Sequence, residues 1–165
     1  MREPAFFTAG YAQWPPAERA ARLCATLREA GVALLIDIRH SPCPSALDPA
    51  NTYGPRAWHL DAAGRGIVPL LREAGIAYRW LPALGNPQKN DPAMRILREH
   101  LADRDGGWPV HDGLAAALAL VRDGRCCLLC ACADYADCHR RVVAEALQKL
   151  CGARAAPHRD LTSRS

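Results

Sequence analysis

Apolar and polar positions follow two rhythms along this chain, one of short unbroken apolar runs and one of apolar residues three and four apart. Ala5-Phe6-Phe7-Thr8-Ala9 is a run of the first kind, stopped by Gly10, and reads as a strand. Pro15-Pro16 then opens a stretch with Ala20, Leu23, Leu27 and Ala30 at helical spacing, which predicts a helix to about Ala30 closed by Gly31. Val32–Ile38 is almost continuously apolar, as in a strand covered on both faces of a parallel sheet. A loop rich in Pro, Ser and Asn follows from Ser41 to about Pro55, and its length marks it as functional rather than a plain connector. Beyond it the pattern predicts a helix over Ile67–Ala74, a strand over Ala77–Pro82 and a helix from Pro92 that fades near Asp105-Gly106-Gly107. A helix over Leu114–Arg122, a strand over Cys126–Cys132 and a helix over Cys138–Leu150 complete the series. A short fifth strand is expected around Arg154–His158.

Strands that alternate with amphipathic helices predict an α/β fold with right-handed crossovers. The expectation is a single three-layer domain over residues 1–152, with a mostly parallel four- or five-stranded sheet and helices on both faces. Residues 153–165 form either the short last strand or a frayed tail. At 165 residues the chain can bury a core without disulfide or metal staples. No apolar run approaches the ~20 residues that span a bilayer. Met1-Arg2-Glu3-Pro4 has no signal-peptide layout, so a cytoplasmic location and no membrane partner are expected. A net charge of +4, with arginines scattered over helices, is too thin for a dedicated duplex-DNA stripe.

The eight cysteines are the unusual part of the composition. Disulfide-dense domains are small and loop-rich, whereas this chain has helices and buried strands, so reduced thiols are the default. Five of them fall between Cys126 and Cys138. Cys130 and Cys132 share a strand face, while Cys127 points the other way and makes Cys127-x-x-Cys130 a poor redox pair.

The polar residues that interrupt the apolar pattern all fall at carboxyl ends of strands. Gly10 and Tyr11 follow the first strand, Asp37, Arg39 and His40 end the second, Gly85 follows the third, and Cys130 and Cys132 end the fourth. Open α/β sheets bind ligands in the crevice outside those ends. Asp37 and Arg39 form either a buried ion pair or a bidentate clamp for phosphate or carboxylate with Asp37 orienting Arg39. Cys138, if Asp134 or Asp137 caps the last helix, sits in its first turn, where the dipole lowers a thiol pKa. Arg140 either assists that thiolate and holds an anion or pairs with Asp37 or Asp134. Zinc or iron would need Cys130, Cys132, Cys138 and His139 to converge, which requires the acidic turn between them to fold back. The Cys-x5-Arg anion cradle is absent, since the sixth residue after Cys132 is Cys138 and the sixth after Cys130 is Ala136; GxGxxG, P-loop and HExxH motifs are absent too.

Four motifs in order, Thr8-Ala9-Gly10-Tyr11, Asp37-Ile38-Arg39-His40-Ser41-Pro42, Pro82-Ala83-Leu84-Gly85, and Leu129-Cys130 with Cys138-His139-Arg140, resemble the bacterial domain-of-unknown-function family 488. The resemblance runs from about residue 5 to 150 and implies the fold and the location of the site. It implies no reaction. The family commonly carries Glu two residues after the first cysteine, where this chain has Cys132, so any role of that Glu in proton transfer would be lost or altered here.

Three functions are consistent with these residues. The first is a small enzyme acting on an anionic small molecule or nucleic-acid end, without a cofactor. Arg39, His40, Gly10, Gly85 and Arg140 would bind substrate, and Cys130, Cys138, His139, Asp37 and Tyr11 would carry thiolate and proton-transfer roles. The second is a metal-binding or redox-sensing module on the Cys126–Cys138 segment, holding zinc or iron. The third is a non-catalytic nucleic-acid binder using arginines with Tyr53, Trp58 and Trp108, though aromatics make up only 6% of the chain.

Overall fold

A computed structural model describes residues 5–40, 67–88 and 91–162. The strands are β1 (Phe7–Ala9), β2 (Leu34–Asp37), β3 (Ala77–Trp80), β4 (Cys126–Leu129) and β5 (Arg159–Asp160). The α-helices among the described residues are α1 (Arg19–Glu29), α2 (Ile67–Glu73), α3 (Arg95–Ala102), α4 (Pro109–Asp123) and α5 (His139–Cys151). All strand pairs are parallel, in the order β3-β2-β4-β1-β5.

The apolar runs owe their continuity to helices on both faces. On one face Phe7, Leu35, Cys127 and Leu129 pack with Leu23 and Leu27 of α1 and Ile67 and Leu71 of α2. On the other, Ile36, Cys126 and Leu128 pack with Leu97 of α3, Leu114 and Val121 of α4, and Val143 and Leu147 of α5. Successive strand residues point to opposite layers, so a strand with two covers can have no polar alternation. Connections leaving β1 and β2 therefore run over one face and the connection leaving β4 over the other. Their carboxyl ends splay apart around β4, the topology that opens a crevice.

Several boundaries differ from the sequence reading, each for a local reason. The segment after Pro15 enters helical structure only at Arg19. The helix expected from Pro92 begins at Arg95, because Met94 adopts a left-handed φ of 55°. The strand expected to reach Pro82 ends at Trp80, and a 3-10 turn at Pro82–Leu84 follows it. The helix expected from Leu114 begins at Pro109, with proline in its first turn. Gly113 lies inside it because a Cβ there would come within 3.0 Å of Leu84, so glycine lets the 3-10 turn close on α4. The fifth strand is Arg159–Asp160, not Arg154–His158, and is held by its register with Phe7 and Thr8. The long loop predicted from Ser41 lies outside the described residues. No helix among the described residues is long and apolar enough to cross a membrane.

Candidate functional site

β4 stops at Leu129, three residues earlier than its apolar pattern implies, so Cys130 and Cys132 leave the sheet above its centre. The Cys130 amide still donates to the Ala9 carbonyl at 3.0 Å, and Ala12 N–H donates to Ala131 at 2.9 Å, which keeps this turn beside the end of β1. Asp134 accepts from the Ala136 amide at 2.8 Å, fixing an Asx turn that reverses the chain. The acidic turn does fold back. The sulfurs of Cys130, Cys132 and Cys138 all lie within 4.8 Å of one another.

His139 joins them. Its Nδ1 is 3.4 Å from Cys130 Sγ, and its Nε2 is 3.0 Å from the Ile38 carbonyl of the neighbouring strand end. A carbonyl only accepts, so Nε2 carries the proton and Nδ1 faces the sulfurs. Cys138 itself is the N-cap of α5, its sulfur accepting from the Arg140 amide at 3.4 Å, so neither Asp134 nor Asp137 takes that place.

The thiols do not share charge evenly. Hydrogen bonds from Cys130 and Cys138 hold the Cys132 thiol far below the ordinary range, and Cys132 is the half-buried member of an otherwise buried set. Donation to Cys132 and burial push Cys130 up to about 12. Cys138 is driven up by its sulfur neighbours and by burial, contrary to the expectation that the helix dipole would make it the low one. Without a metal, the negative charge sits on the outermost sulfur. Burial works against a charged His139, but the Cys138 sulfur and the Ile38 carbonyl prevail and raise its pKa.

A second network lies beside this one. Arg39 grips Asp37 with Nε at 2.9 Å from Oδ1 and Nη2 at 2.6 Å from Oδ2. Its Nη1 donates to the Tyr11 hydroxyl at 3.0 Å, and Tyr78 donates to Asp37 at 2.6 Å. Trp80 Nε1 donates to the Arg39 carbonyl at 2.9 Å. Arg39 loses favour as a cation through burial, yet Asp37 more than restores it and its pKa is raised. Burial raises Tyr11 as well.

Of the residues expected at the site, Cys130, Cys132, Cys138, His139 and Arg140 converge, and Tyr11, Asp37 and Arg39 adjoin them. Gly10 and Gly85 act through close approach. A Cβ on Gly10 would lie 2.0 Å from the Cys132 carbonyl and 2.6 Å from Arg140 Nη1; one on Gly85 would lie 2.6 Å from the His40 Cα. His40 is exposed, and its backbone lies against Gly85. Arg140 pairs with neither Asp37 nor Asp134 but with Asp160, Nε to Oδ1 at 3.2 Å. Sequence reasoning missed Asp160 because the segment read as a tail, and missed Tyr78 and Trp80 because their contacts depend on strand order. Trp108 stacks on His100 with centroids 3.8 Å apart, while Tyr53 and Trp58 lie outside the described residues.

Comparison with known proteins gives one match. The family described as "Domain of unknown function DUF488" matches residues 55–147, more than half of the chain. That stretch includes Gly85, Cys130, Cys132 and Cys138-His139-Arg140, whereas Thr8–Tyr11 and Asp37–Pro42 precede it. No curated protein and no solved structure matches.

Proposed function

The chain belongs to the DUF488 family, and we propose that it is a metal-binding module whose centre is Cys130, Cys132, Cys138 and His139. The observation that carries this reading is the meeting of three sulfurs with an imidazole whose other nitrogen is tied to a backbone carbonyl. A zinc ion with Zn–S of about 2.3 Å in tetrahedral geometry separates its sulfur ligands by about 3.8 Å. Cys130 and Cys132 stand 3.7 Å apart. With Zn–N of about 2.0 Å the sulfur-to-nitrogen edge is about 3.5 Å, and the Cys130–His139 contact is 3.4 Å. The bond from Nε2 to Ile38 is the outer-shell support that fixes a ligating histidine's tautomer. Soft thiolates favour zinc or iron over oxygen-seeking ions. Bound there, the ion would tie the 130–138 turn to the end of β2.

The test is elemental analysis of the full chain purified without added metal, beside Cys138→Ser and His139→Ala. The expected result is about one zinc or iron per chain in the wild type and a several-fold loss in both variants. A wild-type chain that carries neither metal and takes up no added Zn2+ overturns the reading.

A second reading is favoured by Cys132, a low-pKa thiol with part of its surface open beside Arg140 and His139. It is a thiol enzyme for an anionic nucleotide or nucleic-acid end. An anion would then have to compete with Asp37 for Arg39 and with Asp160 for Arg140.

A further inference from the structure

Arg140 is fully buried and its guanidinium is only partly used. Nε donates to Asp160 and Nη1 donates to the Cys132 carbonyl at 2.9 Å, while Nη2 is buried with no hydrogen-bond partner. A buried donor left unpaired costs on the order of 1–3 kcal/mol, and such groups call for an explanation. The surroundings are built to hold this cation. The Tyr135 ring lies 5.4 Å from the guanidinium carbon, and Gly10 has no Cβ where one would strike Nη1. The Cys138 sulfur and the Asp160 carboxylate are the groups that favour its charge, and the Arg140 backbone amide donates to that same sulfur at 3.4 Å.

We infer that Arg140 is a positioning residue of the sulfur centre, holding Nη2 for the Cys138 sulfur when that sulfur is a metal-bound thiolate. This rests on the metal-binding reading above. A protonated thiol is a weak acceptor; on metal binding its proton leaves to solvent and the sulfur becomes an anion, which a guanidinium N–H meets as a charge-assisted donor. Arg140 then fixes the sulfur that opens α5 and, through the Cys132 carbonyl, the turn that carries the outermost sulfur. Asp160 competes for the same cation, so the two acceptors share it.

The test measures Zn2+ affinity of the full chain by competition with a chromophoric chelator, and the thiolate-to-metal charge-transfer band with Co2+ in place of zinc. Arg140→Met is expected to weaken zinc binding by about 10–100-fold, the range seen when outer-shell partners are removed, and to shift the cobalt band. Arg140→Lys is expected to recover part of the affinity, and Arg141→Met, which removes a neighbouring positive charge, to leave it unchanged. Asp160→Asn, which frees Arg140 for sulfur and keeps the chain testable if Arg140→Met does not fold, is expected to hold zinc at least as tightly as the wild type. Wild-type affinity and an unshifted band in Arg140→Met overturn the inference while leaving the metal centre intact. Weakening in Asp160→Asn overturns it too, because Arg140 would then be a strut locked by its carboxylate. A wild-type chain that takes up no zinc overturns the centre itself, and with it this role.

Discussion

The two polar networks at the carboxyl ends of the strands contain similar functional types but are finished differently. Around Asp37 the carboxylate meets both Arg39 and Tyr78, the guanidinium also meets Tyr11, and Arg39 is about 7% exposed. The protein supplies the partners that burial demands. Around Cys130 the polar atoms face one another instead, as three sulfurs and an Nδ1, with a cationic Nη2 to spare. A network closed by its own side chains holds the fold, and a cluster of soft donors with a spare cation beside it is arranged for something added. The ends of adjacent strands thus serve two purposes, separated by which partners the fold itself provides.

Removing Asp37 tests the first half of that contrast with the largest effect. Asp37→Ala leaves Arg39 as a buried cation without its carboxylate and is expected to cost about 3–5 kcal/mol in chemical unfolding. A loss below about 1 kcal/mol would put Asp37 in a role other than holding the sheet edge.

Charge on the sulfurs sharpens the second half. Cys132 is held low by the thiols that donate to it, so in metal-free chain it stays a thiolate well below neutrality. Its alkylation should change little between pH 6 and 8, whereas an ordinary thiol of pKa about 8.5 gains close to tenfold per unit over that range. Site-resolved mass spectrometry should find Cys132 labelled at pH 6 ahead of Cys130 and Cys138, by roughly tenfold or more given their raised values and burial. Equal labelling of the three would remove the asymmetry. Added Zn2+ should slow the reaction at Cys132.

Two smaller effects probe how the cluster is held. Gly10→Ala drives a Cβ into the Cys132 carbonyl and is expected to cost about 1–3 kcal/mol as overpacking, with weakened metal uptake. Tyr135→Phe removes the 2.6 Å bond to His158 that ties the turn to the C-terminal segment, and is expected to cost about 1 kcal/mol in the same unfolding assay.

How much of this was legible in the sequence depends on range. Continuous apolar runs at Val32–Ile38 and Cys126–Leu129 gave away a doubly covered parallel sheet, because burial on both faces leaves its mark on every residue. Carboxyl-end placement of Tyr11, Asp37, Arg39 and Cys130 followed from the same runs. Pairings did not, because Arg140 meets Asp160 and Tyr78 meets Asp37 only once strand order is known. The low thiol was misplaced for a related reason. A helix N-terminus argues for Cys138, but the burial of that sulfur and its donation to Cys132 are tertiary facts.

The metal claim is tested most directly by zinc X-ray absorption on the full chain loaded with one equivalent of Zn2+. A Cys3His centre gives a first shell of three sulfurs at about 2.3 Å and one nitrogen at about 2.0 Å, losing one sulfur in Cys138→Ser. A shell of oxygen and nitrogen alone, or one unchanged in that variant, would contradict it.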